Sequence, residues 1–169
     1  FTSIAHFLYA YFEDSSRQYR WLEYSVSAPI MLVIISMLCG IRDIFNLLLI
    51  FGLLSTTMIF GEYQDSYADS KNRVNFIVSP LFAGFFPYIF AWLPTSVQFF
   101  RVPELPLFVT ILYWVLILIF TSFAIVQYLY TRNGLSTNLK AYDGSMHLLS
   151  LLAKAVLSFL VLGGSLNII

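Results

Sequence analysis

The chain has 169 residues, 59% of them hydrophobic, 18% aromatic and only 11% charged, with a mean hydropathy of +0.80. A soluble domain carries about a quarter charged residues, so this chain cannot cover a water-facing surface, and it lacks the low hydrophobicity and high net charge of disorder. A net charge of zero excludes an electrostatic nucleic-acid binder, the lone Cys39 excludes a disulfide framework, and two histidines, His6 and His147, are too few for a metal cluster. What remains is a protein whose solvent is the lipid bilayer.

In chain order, residues 1–12 are apolar but only half a span long and run into Glu13 and Asp14, which reads as the end of a helix that begins upstream. Five longer apolar segments follow, at residues 17–40, 44–61, 74–93, 107–131 and 145–167. Each has the roughly 17–25 residues that cross a bilayer as a helix. Short polar stretches separate them at 42–43, 62–73, 101–104 and 132–144. Every backbone polar group in lipid needs an internal partner, so helices are expected, and the period-2 alternation of a membrane barrel is missing. The expectation is an all-α, multi-pass transmembrane bundle forming one domain over 1–169. In the third segment Pro80, Pro87 and Pro94 recur every seventh residue and share a face. The inner ones each remove a backbone hydrogen bond, which suits an ordinary kinked helix or the shaping of a pocket.

Basic residues set the orientation. Arg17, Arg20, Lys71, Arg73, Arg132 and Lys140 fall on one side and Arg42 and Arg101 on the other. The first set is therefore expected in the cytoplasm and the C-terminus outside.

Two ionisable residues lie inside apolar spans. Lys154 sits ~14 Å into the last segment and Glu23 ~9 Å into the first, at 1.5 Å per residue. Both segments start on the same side, so the two groups come within ~5 Å in depth if the helices are neighbours. A charge at mid-bilayer costs ~2.5–3.5 kcal/mol on insertion scales and calls for a partner or a role. Glu23 can snorkel beside Arg20, or form a structural ion pair with Lys154. A chemical role is also open, because an amine held out of water suits Schiff-base formation with an aldehyde. His147, Ser150, Lys154 and Ser158 share one stripe, and Glu23 and Ser27 lie one turn apart.

Several words in the chain carry a resemblance. They are Arg20-Trp21-Leu22-Glu23-Tyr24-Ser25-Val26-Ser27, Cys39-Gly40-Ile41 with Asp43, Ile50-Phe51-Gly52, Phe60-Gly61, Ser122-Phe123-Ala124-Ile125-Val126-Gln127-Tyr128-Leu129 and Leu149-Ser150-Leu151-Leu152-Ala153-Lys154. In this order they resemble the heliorhodopsins, retinal-binding microbial-type rhodopsins with inverted topology. The resemblance implies a seven-helix rhodopsin-like fold, with the five full segments as its third to seventh helices and with the first helix and part of the second lacking from the chain. It implies that Lys154 carries all-trans retinal as a Schiff base and that Glu23 is the counterion. Ser27, Ser150 and Tyr24 would lie near them, and Met58, Tyr88, Phe120 and Gln127 would line the chromophore. His6 would match a histidine in a polar cavity on the cytoplasmic side. The family also implies a homodimer and a light sensor, not an enzyme, acting on an unidentified signalling partner. Thr121 and Val78 depart from residue types found in relatives, and His147 has no family counterpart.

A pump needs a relay of carboxylates across the membrane. From Tyr24 onward no Asp or Glu is expected within a span, with Asp43, Glu62 and Glu104 at helix ends, which favours sensing over pumping. His147, two turns from Lys154, is a candidate transient proton acceptor or simply a histidine at the helix entrance. The alternative function is a light-gated or proton-coupled channel or transporter that uses the Glu23–Lys154 pair as its switch.

Overall fold

The structure is a computed structural model that describes residues 16–69, 75, 79–132 and 139–165. Five helices make up the described residues, with no strand among them: α1 (Ser16–Leu38), α2 (Ile44–Asp69), α3 (Pro80–Arg101), α4 (Leu107–Thr131) and α5 (Leu139–Ser165). All five are long and apolar enough to cross a membrane. Large apolar side chains such as Phe45, Leu118, Leu148 and Phe159 point outward, as expected where the surrounding solvent is lipid. The protein is an integral, multi-pass membrane bundle.

Three helices differ from the spans read in the sequence. α2 runs past Gly61 to Asp69, and α5 begins at Leu139, six residues before Ser145. In both places charged residues taken for loop lie on helix, and two of them, Asp65 and Asp143, are paired with Arg20 inside the bundle. α3 begins at Pro80 and ends at Arg101, against 74–93. The Ser79 hydroxyl accepts from the Phe82 N–H, and proline at the first turn gives up a donor that has no helical partner anyway.

α1 is the hub of the bundle and packs against each of the other four helices. Its best apolar window is 44% buried, against 17–33% for the others, so a polar group on α1 has protein around it where the same group elsewhere would meet lipid. Proline at position 29 cannot donate to the carbonyl of Ser25, four residues back. The Ser55 hydroxyl of α2 donates to that carbonyl at 2.8 Å, which repairs the gap and ties α2 to α1 just beyond Glu23. Further along, the hydroxyls of Ser36 and Thr95 meet at 2.6 Å and join α1 to α3. One apolar core, including Leu32, Ile35, Ile50, Leu54, Leu112 and Leu116, fills this half. A smaller cluster of Trp21, Tyr24, Ala68, Tyr142 and Met146 fills the other.

Candidate functional site

The Lys154 amine donates to the carboxylate of Glu23, joining α5 to α1. Their side chains are only 25% and 17% exposed, so the pair is largely shielded. The helices run in the same direction, and a lysine on a helix leans toward that helix's N-terminus, here toward Glu23. Attraction between opposite charges is stronger at low dielectric than in water, which offsets part of the cost of removing each from water. Beside the pair, the Tyr24 hydroxyl donates to the carbonyl of Met146 at 3.0 Å. Ser150, also buried, lies within hydrogen-bonding reach of that hydroxyl. Ser27 is half-buried one turn beyond Glu23.

A narrow apolar cleft opens between α2, α3 and α4, with about 560 Å³ of space including its open mouth. Met58, Tyr88, Phe120 and Gln127 line it, together with Trp21 and Phe123. Two glycines give the cleft its shape. A Cβ on Gly61 would fall 2.4 Å from the Trp21 ring, and one on Gly84 would fall 2.9 Å from Phe60. At the far end Trp92 stacks edge-on against Phe120 and Tyr113, and its indole Nε1–H has no partner among the described residues. Neither Glu23 nor Lys154 lines the cleft. The lining residue Phe123 instead meets the ring of Tyr24, the neighbour of Glu23, at 5.7 Å.

A second buried ionic centre, unforeseen in the sequence, lies one turn from Glu23. Arg20, assigned there to the membrane boundary, is 1% exposed. Its guanidinium pairs with Asp65 of α2 at 3.2 Å and with Asp143 of α5. Asp65 is 4% exposed and accepts from four donors. The Arg20 guanidinium and the Trp21 indole (2.8 Å) share one oxygen, and Gln127 (3.0 Å) and the Tyr142 hydroxyl (2.7 Å) share the other. Asp65 and Asp143 correct the expectation that no carboxylate beyond Tyr24 lies within a span, and Glu62, expected at a helix end, also lies inside α2. Gln127 likewise does more than line a cavity, because its amide also donates to the Gly61 carbonyl at 2.7 Å. The helical stripe Leu47, Ile50, Leu54, Gly61, Gln64, Asp65, Ala68, all buried, was the available signal for this extension of α2. His6 lies outside the described residues. No group of three or more metal-ligating side chains occurs among the described residues.

The family model for heliorhodopsin matches residues 3–166. The chain belongs to the heliorhodopsin family. A search of curated proteins finds no match. Heliorhodopsins are photoreceptor-type membrane proteins, not a known class of enzyme, and membership implies a retinal chromophore.

The residues present suit such a group. A linear apolar polyene needs a slit with aromatic walls, and its aldehyde needs an amine shielded from water. The cleft between α2, α3 and α4 has such walls and Lys154, outside its lining, is such an amine, with Tyr24 and Phe123 between the two.

Proposed function

We propose that the protein is a light-sensing photoreceptor in which Lys154 carries all-trans retinal as a protonated Schiff base and Glu23 is its counterion. The observation that carries this reading is the direct bond between Lys154 and Glu23, shielded within the bundle. When bound, retinal supplies visible absorption and a light-driven isomerisation that re-aims the proton on Lys154 Nζ. Glu23 holds that proton in the dark by its charge. Met58, Tyr88, Phe120 and Gln127 hold the chain of the chromophore, and the apolar walls exclude water. Tyr24, fixed by the Met146 carbonyl, keeps α1 and α5 in register beside the pair.

Sensing is favoured over pumping by where the charges lie. All the buried carboxylates and cations of the described helices sit between the Lys154 pair and the Arg20 end of the bundle. From Tyr24 to Leu38 on α1, and from Ala155 to Ser165 on α5, the sequence has no ionisable side chain apart from Tyr24. A proton leaving Lys154 thus finds buried carboxylates toward one end only, and a one-sided path returns it to its origin instead of carrying it across. In this reading the Arg20 end faces the cytoplasm, the C-terminus lies outside, and a homodimer passes the signal to a partner protein.

The test is to express the full-length protein with all-trans retinal and record its visible spectrum. A visible band that disappears in Lys154→Ala is expected; no band, or a band that survives this change, would overturn the assignment. Sustained photocurrents under voltage clamp would replace sensing by transport.

A further inference from the structure

The two ionic centres are connected by geometry. Arg20 and Glu23 are one helical turn apart on α1, and Asp143, His147, Ser150 and Lys154 follow one another at spacings of four, three and four on α5. The contacts Arg20–Asp143, Tyr24–Met146 and Glu23–Lys154 turn this face of α5 toward α1. Asp143 and Lys154 are eleven residues apart, about 16 Å along the axis. The Lys154 stem leans back over about 6 Å of this, and His147 and Ser150 occupy the rest.

The charges of the combined network do not balance. Glu23, Asp65 and Asp143 bring three carboxylates, whereas Arg20 and Lys154 bring two cations. One proton can therefore be taken up at a net gain in electrostatic energy once Lys154 gives up its own. The three carboxylates differ in their partners and in their place relative to the α5 stripe. Asp65 accepts four hydrogen bonds and lies on α2, off the stripe. Glu23 is bonded to Lys154 itself, so a proton on it would stay within that pair. Asp143 shares Arg20 with Asp65, and its side chain is 22% exposed. The charged and titratable groups around Asp143 are Arg20 and Tyr24 from α1, Asp65 from α2, and Tyr142 and His147 on α5 itself, with Tyr130 of α4 against Tyr142.

We propose that Asp143 is the resting place of the proton that leaves Lys154, and that His147 passes it on. This rests on the photoreceptor reading above. The N–H bond at Lys154 Nζ breaks with its electron pair left on nitrogen. One ring nitrogen of His147 gains a proton, the other releases one, and an O–H bond forms on an Asp143 carboxylate oxygen. Neutralising Asp143 leaves Arg20 with Asp65 as its one ionic partner and loosens α5 from α1 at this end of the bundle, where the Tyr24–Met146 bond remains. The same proton transfer thus produces a movement that a partner can read. The return of the proton to Lys154 along the same stripe resets the bundle.

Light-minus-dark infrared difference spectroscopy on the retinal-bound, full-length protein tests this. Expected is a carboxylic-acid C=O band that appears with light, vanishes in Asp143→Asn, shifts but persists in Asp143→Glu, and survives in Asp65→Asn. In His147→Gln the band should form at least about a hundredfold more slowly, the loss typical of a removed proton-transfer group. A normal visible band with a carboxyl signal that survives Asp143→Asn overturns the assignment of Asp143 and leaves the photoreceptor reading intact. An unaltered rate in His147→Gln overturns the relay. A protein without any visible band overturns both readings.

Discussion

Replacing Asp65 by asparagine keeps the size of the side chain and withdraws its charge. In the native bundle four donors converge on the two carboxylate oxygens. Asparagine offers one acceptor oxygen, so about two of the four lose their acceptor, at ~1–3 kcal/mol for each buried group left unsatisfied. Removing one partner of a buried ion pair costs ~3–5 kcal/mol by a separate route of estimation, and the two ranges overlap. At ~2–4 °C per kcal/mol for a chain of this size, the midpoint of thermal unfolding should fall by ~6–20 °C. The assay is circular dichroism during heating in lipid nanodiscs, with Glu104→Gln as an exposed control that should leave the midpoint in place. The double variant Arg20→Gln with Asp65→Asn should lose less than the sum of the singles, because the two residues share one interaction. A midpoint for Asp65→Asn within ~2 °C of the parent, less than the smallest shift expected from the size scaling, would refute the reasoning.

Two other substitutions probe the joints around the site. Gly61→Ala places a methyl carbon 2.4 Å from the Trp21 ring, which is held by its 2.8 Å bond to Asp65. The ring must move, so thermal unfolding should show a loss of ~1–3 kcal/mol, typical of overpacking, with a shifted tryptophan emission. Ser55→Ala removes the donor that repairs the gap at Pro29 and leaves the Ser25 carbonyl unpaired in the membrane interior. A loss of ~1–3 kcal/mol is expected in a denaturation series, and Ser55→Thr, which keeps the hydroxyl, should restore most of it.

The membrane class and the helix count were legible in the sequence because charged residues mark most of the span ends. The meeting of Glu23 and Lys154 was legible too, since a fixed rise per residue turns spacing into depth. The second ionic centre was hidden by the same rule. Reading every charge as a boundary assigned Asp65 and Asp143 to loops and Arg20 to the membrane boundary, whereas each is satisfied by partners on other helices and so belongs to the interior. No local pattern announces such a pairing, because the partners of Arg20 are 45 and 123 residues away. The helical stripe that continues from Leu54 through Gly61 to Asp65 and Ala68 did carry the information, and it outweighs the charge of a single residue. The placement of Gln127 shows the same limit. Its position beside the cleft follows from the helix it lies on, but its bonds to Gly61 and Asp65 depend on how α2 and α4 pack.

The pairing of Lys154 with Glu23 is tested most directly by the visible spectrum of Glu23→Gln recorded across pH. With the carboxylate gone, positive charge is no longer held at Lys154 Nζ and spreads along the polyene. The account predicts a band at longer wavelength than in the parent protein, and its loss at lower pH. A band with unchanged position and unchanged pH dependence would contradict it.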